Sequence, residues 1–484
     1  MESTRTILAA ALLTGCAPAA MAQGVSNETV SASQSQQPAE LVERLTQATA
    51  ELEEAGFSGF LAVAQPGMAP VLVNAGAADP ATGQAYDLET QFDIGSITKP
   101  LTGLAASMLI ADGRLDPEAT LADYFDNVPA DKAGITVHQM LTHSAGFEDA
   151  HGFDRRPQSR DEMVAEAFAH TLQFTPGERY AYSNTGYSLV AAIIEDVTGK
   201  DYEDFMVSDV LEPLGLTSTG YHRVLDPTRT DASEEFGPMA EASWGNLEPV
   251  SWALTGNGGM ASSATDLLGL GQMIVNGGLP EDVLTIWTTP RVSEGGDTEY
   301  GYGMGTMRID GIGTVVWHNG GNPAFQTEWW TILETGQTIL VHRNGGPPLQ
   351  RALSAALGAA TGMELSLGGP DEDIDLTEGP LPPGSAQAEL VEAFIAAMDS
   401  EQDWSAFVLA RMSAALLEQM PLEEHMAHYS GLSSGLRSAV VEAHAITDGQ
   451  IITHVKTPDG QTTILELMPV LEDGMLKLIG IGIN

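Results

Sequence analysis

The chain has 484 residues, 66 acidic against 20 basic, for a formal net charge of −46, and 43% of them are hydrophobic. Its five lysines, Lys99, Lys132, Lys200, Lys456 and Lys477, are too few and too scattered for the counterion release that drives nucleic-acid binding, which excludes nucleic acid as a partner. The length allows two or three domains with a sizeable core, and no apolar run reaches the ~18 residues of a spanning helix, so membrane contact is left to the N-terminus.

Residues 1–22 read as an export signal, with Arg5 ahead of an apolar stretch from Ile7 to Leu13 and small residues after it. Leu13-Thr14-Gly15-Cys16 resembles a lipobox, in which Cys16, the only cysteine, is lipidated. Ala20-Met21-Ala22 offers an ordinary cleavage site instead. Either cut leaves a body without disulfides, suited to an oxidising periplasm or to anchoring at the outer membrane. Residues 23–38, rich in Ser, Gln and Asn, are expected to be a flexible tether.

The folded body is expected over 39–367. Leu41, Leu45, Ala48 and Leu52 predict a helix from Ala39 to Ala55, followed by strands at Phe57–Ala64 and Pro70–Asn74. A helix from about Ser96 to Asp112, ended by Gly113, opens a long helical stretch. Strands return at Gly313–Trp317, Glu328–Leu333 and Thr338–Val341, and a helix follows from Leu349 to Thr361. The pattern is α+β, a sheet built from both ends of the domain with a helical lobe inserted between. Residues 368–384 read as a linker. Residues 385–484 read as a small α+β accessory domain of unspecified partner, helical over Ala386–Met420, then strands at Ala439–Ile446, Ile451–Thr457, Thr462–Pro469 and Leu476–Ile483. That helix followed by a meander is faintly similar to cystatin-like or nuclear-transport-factor-2-like domains.

Three segments carry chemistry. Ser96-Ile97-Thr98-Lys99 puts a hydroxyl and an ammonium on one helical face, and a serine at neutral pH needs such a base to attack. In Tyr182-Ser183-Asn184 a phenol and a carboxamide two residues apart can point to one side, although capping by Ser183 or Asn184 is the plainer reading. His318-Asn319-Gly320-Gly321 ends an apparent strand, where glycine lets a substrate backbone approach.

In this order the segments resemble the penicillin-recognising serine hydrolases: class C β-lactamases, D-alanyl-D-alanine carboxypeptidases, D-aminopeptidases and carboxylesterases of the same fold. Landmarks at Thr136–Phe147, Gly258–Leu267 and Tyr300–Gly303 extend the resemblance over roughly 56–361. It implies a serine β-lactamase/DD-peptidase-like antiparallel sheet flanked by helices, and no cofactor or metal. It further implies acylation of Ser96, proton transfer shared by Lys99 and Tyr182, and substrate binding by Asn184, His318, Asn319 and Gly320. The oxyanion hole would be formed by the N–H groups of Ser96 and Gly321. The expected substrate is a small ester, D-amino-acid peptide or amide, with a β-lactam ranked lower.

Two departures from the family pattern stand out. His318 replaces a lysine and is expected to be only partly charged near pH 7, and Pro100 should distort the turn that carries Ser96 and Lys99. His138 and His143 read as structural, and His425 and His428 as a solvated helix face. The G-x-S-x-G at Gly431–Gly435 lacks the strand and large sheet of a nucleophile elbow.

Overall fold

In the computed structural model the described residues run from 28 to 483, apart from 149–151, 153, 235, 323, 348, 364–376, 380, 383–384, 399, 414–435, 437–438, 448–449, 458–461 and 473–474. Cys16, His425, His428 and Gly431–Gly435 lie outside them.

An eight-stranded antiparallel sheet organises the larger unit. Its order is Val71–Ala75, Ser58–Ala64, Thr338–Gly345, Gln326–Ile332, Gly313–Gly321, Gly305–Ile309, Thr298–Tyr300 and Val292–Gly295. The first two strands come from the start of the domain and the rest from its end, so the chain between them supplies the inserted helical lobe. The last three strands of this order were not legible in the sequence. They are short, and Val292–Gly295 alternates only between half-buried and exposed, without an apolar period.

The strand pleat divides the core in two. Phe60, Ala62, Trp329 and Leu340 face the helical lobe, whereas Leu61, Val63, Trp330, Ile339 and Val341 face the helices Glu28–Glu54 and Leu349–Thr361. Covered on both faces, these strands lose the polar alternation of a half-solvated sheet. The first helix begins at Glu28, so residues 28–38 extend it rather than forming the expected tether.

The C-terminal unit has its own core, with Phe394, Trp404 and Phe407 packed against Ile451, Val455, Leu467 and Leu478. The expected single helical stretch is two helices, Ala386–Ala397 and Glu401–Arg411. Ser400 caps the second by accepting the N–H of Asp403 at 3.1 Å. Part of the expected linker is structured too: Thr377–Glu378 pairs with Ala443 and His444, making a fifth strand beside the expected meander.

Candidate active site

Strand Gln91–Asp93 feeds a 3-10 turn, Gly95–Ile97, that continues as the α-helix Thr98–Ala111. Gly95 has φ +45°, and the Asp93 carboxylate accepts its N–H at 2.6 Å. Pro100 falls in the first helical turn, where an N–H has no intrahelical acceptor, and the 3-10 turn ahead of it is the form the expected distortion takes. The helix meets its neighbours at backbone distance. A Cβ on Gly103 would stand 1.9 Å from the Tyr302 carbonyl and one on Gly303 2.4 Å from that of Lys99, which accounts for the Tyr300–Gly303 landmark.

Lys99 is fully buried. Its Nζ donates to Ser96 Oγ at 3.0 Å, to Asn184 Oδ1 at 2.6 Å and to the Asn257 carbonyl at 2.8 Å, and stands 4.6 Å from the centre of the Tyr182 ring. An ammonium has three hydrogens, and among the described residues three acceptors meet them. Asn257 is a member of the site that sequence reasoning missed. It contributes a backbone oxygen, for which no side-chain signal exists, while its own amide donates to Ser188 Oγ at 2.8 Å and the Ala253 carbonyl at 2.7 Å.

Asn184 opens the helix Asn184–Thr198 behind Ser183, which accepts the N–H of Gly186 at 3.3 Å. In this loop Ser183 caps the helix, and the Asn184 side chain accepts from Lys99. His143, read as structural from the sequence, lies against this loop with its ring centre 4.4 Å from that of Tyr182. His138 stays apart, its Nδ1 3.0 Å from the Tyr302 hydroxyl.

His318, Asn319, Gly320 and Gly321 lie inside the strand Gly313–Gly321, four residues beyond its expected end. A Cβ on Gly320 would stand 1.9 Å from the Ile94 carbonyl and 2.8 Å from the Ser96 nitrogen, and one on Gly95 2.4 Å from the Gly321 nitrogen. The backbones that carry the N–H groups of Ser96 and Gly321 are thus in direct contact.

His318 departs from expectation. It is 4% exposed, its Nδ1 donates to the Asn319 carbonyl, and its Nε2 accepts from the Tyr300 hydroxyl at 3.0 Å. Burial first, then the nearby Lys99 charge, push it down to about 3, so it is neutral at pH 7 rather than partly charged. Neither it nor the exposed Asn319 lines the cavity at Ser96.

That cavity, of about 80 Å³, is lined by Ser96, Asn184, Asn257 and Gly321 together with Asp93, Asp154, Ser243 and Asn322. Asp93 and Asn322 are further residues the sequence did not flag. Asn322 Nδ2 donates to Asp93 Oδ2 at 2.6 Å and to Ser243 Oγ at 3.0 Å, joining the turn that carries Ser96 to the end of the strand Gly313–Gly321. Burial raises Asp93 to about 6, against the opposing hydrogen bonds from Ser243 and Gly95.

A serine paired with a buried lysine at the head of a helix, facing the end of the strand Gly313–Gly321 across shared backbone contacts, defines a serine hydrolase of the β-lactamase/DD-peptidase fold. The chain belongs to the Beta-lactamase family, whose model matches residues 41–362. It is 26% identical over 317 residues to penicillin-binding protein 4* of Bacillus subtilis, a match covering 60% of this chain and 69% of that one. It is 26% identical over 263 residues to a putative D-alanyl-D-alanine carboxypeptidase of Escherichia coli K12, covering 47% and 60%. The crystal structure of D-amino acid amidase from Ochrobactrum anthropi SV3 with L-phenylalanine amide superposes with TM-score 0.55 at 23% identity, over 68% of this chain and 99% of that one. The chain thus spans 69% and 60% of the length of these two curated relatives.

Proposed function

We propose that the protein is an exported hydrolase that forms an acyl-enzyme on Ser96 and cleaves small esters or D-aminoacyl amides and peptides. The observation that carries this reading is the set of three acceptors around Lys99 Nζ. When Lys99 is neutral, two hydrogens stay on Asn184 Oδ1 and the Asn257 carbonyl, and the lone pair is left pointing at Ser96 Oγ. The lysine then takes the serine proton as Oγ attacks the substrate carbonyl. The N–H groups of Ser96 and Gly321 receive the developing oxyanion, a contribution of ~3 kcal/mol per donor. The proton passes to the leaving group, by way of Lys99 or the adjoining Tyr182, and water releases the acyl group by the reverse route.

Substrate charge follows from the cavity wall. His318 offers no cation to a carboxylate, and among the described residues the charged side chains lining the cavity, Asp93 and Asp154, are both acidic. A neutral ester or an aminoacyl group with a free ammonium suits this wall better than the carboxylate of a β-lactam or of a D-alanyl-D-alanine terminus. The cavity's small size favours a short acyl group. The amidase name among the similar proteins points the same way, whereas the carboxypeptidase name points to a carboxylate-terminated peptide. Export is also proposed, with the chain anchored by lipid on Cys16 or released by cleavage after Ala22; incorporation of labelled palmitate, lost in Cys16→Ser, tests the anchor.

The central experiment is intact-mass spectrometry of the chain from Gln23, followed in time after mixing with a penicillin, a p-nitrophenyl ester or a D-aminoacyl p-nitroanilide, with Ser96→Ala as control. Rapid turnover of the ester or anilide, lost in Ser96→Ala, supports the proposal. A long-lived penicillin adduct without ester or amide turnover would replace it with a penicillin-binding, cell-wall-sensing role, and a short-lived adduct with a β-lactamase.

A further inference from the structure

His143 occupies an unusual position for a residue outside the three motifs. It is a non-glycine residue at φ +54°, 1% exposed, immediately before Ser144-Ala145-Gly146. L side chains adopt that conformation at a cost, which the surrounding contacts must offset. They hold the loop Tyr180–Asn184 at two points: the His143 carbonyl accepts the N–H of Ala181 at 2.8 Å, and its Nδ1 accepts the N–H of Ser183 at 3.0 Å.

The second bond fixes the tautomer. Nδ1 is an acceptor, so the ring hydrogen sits on Nε2, a buried atom without a hydrogen-bond partner among the described residues. Around the ring stand Tyr182 at 4.4 Å, Tyr300 at 4.8 Å, Tyr187 at 5.1 Å and Tyr180 at 5.6 Å between centres. Lys99 and His318 are the other titratable groups acting on it: burial opposes a positive charge there most, the Lys99 charge adds to it, and His318 would add to it only when itself protonated. An imidazolium would also lose the Ser183 bond. The group is built to stay neutral.

We propose that His143 is a positioning residue: as a neutral acceptor it locks the Tyr182–Asn184 loop, and through Tyr182 it holds the proton-transfer partner of Lys99 in place. Tyr182 is the link, since its ring touches both His143 and Lys99 Nζ. The inference rests on the acyl-enzyme reading above.

The test is a double-mutant cycle on p-nitrophenyl acetate hydrolysis across pH 5–9, with His143→Asn, Tyr182→Phe and the double variant, each checked for its melting temperature. Asparagine tolerates a positive φ and retains a carbonyl acceptor, and His143→Gln is the second variant if it does not fold. His143→Asn is expected to lower kcat about tenfold with KM little changed, and to move the acidic limb of the profile. In the Tyr182→Phe background that effect should largely disappear. Fully additive losses with an unmoved limb would overturn the inference while leaving Ser96 acylation intact. Failure of the wild-type chain to become acylated would overturn both.

Discussion

Gly320→Ala isolates the contact between the nucleophile turn and the oxyanion strand. The φ of Gly320 lies outside the left-handed region, so alanine is conformationally allowed and the consequence is steric alone. Its Cβ would meet the Ile94 carbonyl at 1.9 Å, backbone against backbone, with no flexible side chain to yield. Restoring even a tight 3.0 Å contact moves the strand or the turn by roughly 1.1 Å, which is of the size that costs ~10²-fold in a positioned reaction. The two N–H groups then no longer converge on one oxygen, and losing one oxyanion donor costs ~10²- to 10³-fold in kcat. The assay is kcat for p-nitrophenyl acetate beside a thermal melt. Gly345→Ala is the control in the same sheet, because its Cβ would meet only Ser58 Cβ, at an ordinary 3.8 Å. A Gly320→Ala enzyme within threefold of wild type would refute the reasoning, and so would equal losses in both variants.

Lys99→Met, of similar length and without charge, should leave three acceptors facing an apolar side chain; kcat is expected to fall by ~10³-fold or more, read with the same ester. For Asp93, with a folded value of about 6 against 3.8 unfolded, the stability from its protonated form is complete below 3.8 and is lost as pH rises through 6. Asp93→Asn has no such group, so its stability relative to wild type should improve by about 2 kcal/mol between pH 4.5 and 7, measured by urea unfolding at each pH. Asp231→Asn disturbs the buried 2.6 Å contact with His342 Nε2 and should destabilise by ~3 to 5 kcal/mol in the same assay. Since His318 titrates near 3, the kcat/KM profile of His318→Gln should keep any limb that wild type shows between pH 5 and 8.

Side-chain chemistry in fixed spacing was legible in the sequence. Ser96, Lys99 and Asn184 could be named because i, i+3 spacing and a short loop constrain where they point, and the structure brings all three together. Apolar runs likewise marked Phe57–Ala64 and Thr338–Val341, which lie side by side in the sheet. What escaped depends on other things. The edge strands lack a hydrophobic period, Asn257 acts through its carbonyl, and the protonation of His318 depends on burial that no local pattern reveals. His143 was visible as a residue but not as a neighbour of Tyr182, because a packing contact across forty residues is a tertiary fact.

The buried polar chain behind the site shows why those invisible residues matter. Asp231 and His342 are both fully buried, and Tyr86 and Asn344 donate to Asp231 Oδ1 at 3.0 and 3.1 Å. Thr327 uses its hydroxyl hydrogen on the Asp93 carbonyl at 3.0 Å, so its 2.8 Å contact with His342 must be a bond donated by Nδ1. Nε2 in turn meets Asp231 Oδ2 at 2.6 Å, and the chain runs without a gap from the sheet interior to the residue three before Ser96. The Asp93 side chain meanwhile accepts from Gly95 on one side and Asn322 on the other. Ser96 and Gly321 therefore owe their mutual placement to a connected interior network as much as to their own motifs, and a buried network of this kind holds a turn in place through bonds that reinforce one another. The motifs name Ser96, Lys99 and Gly321, and the interior helps to fix the distances between them.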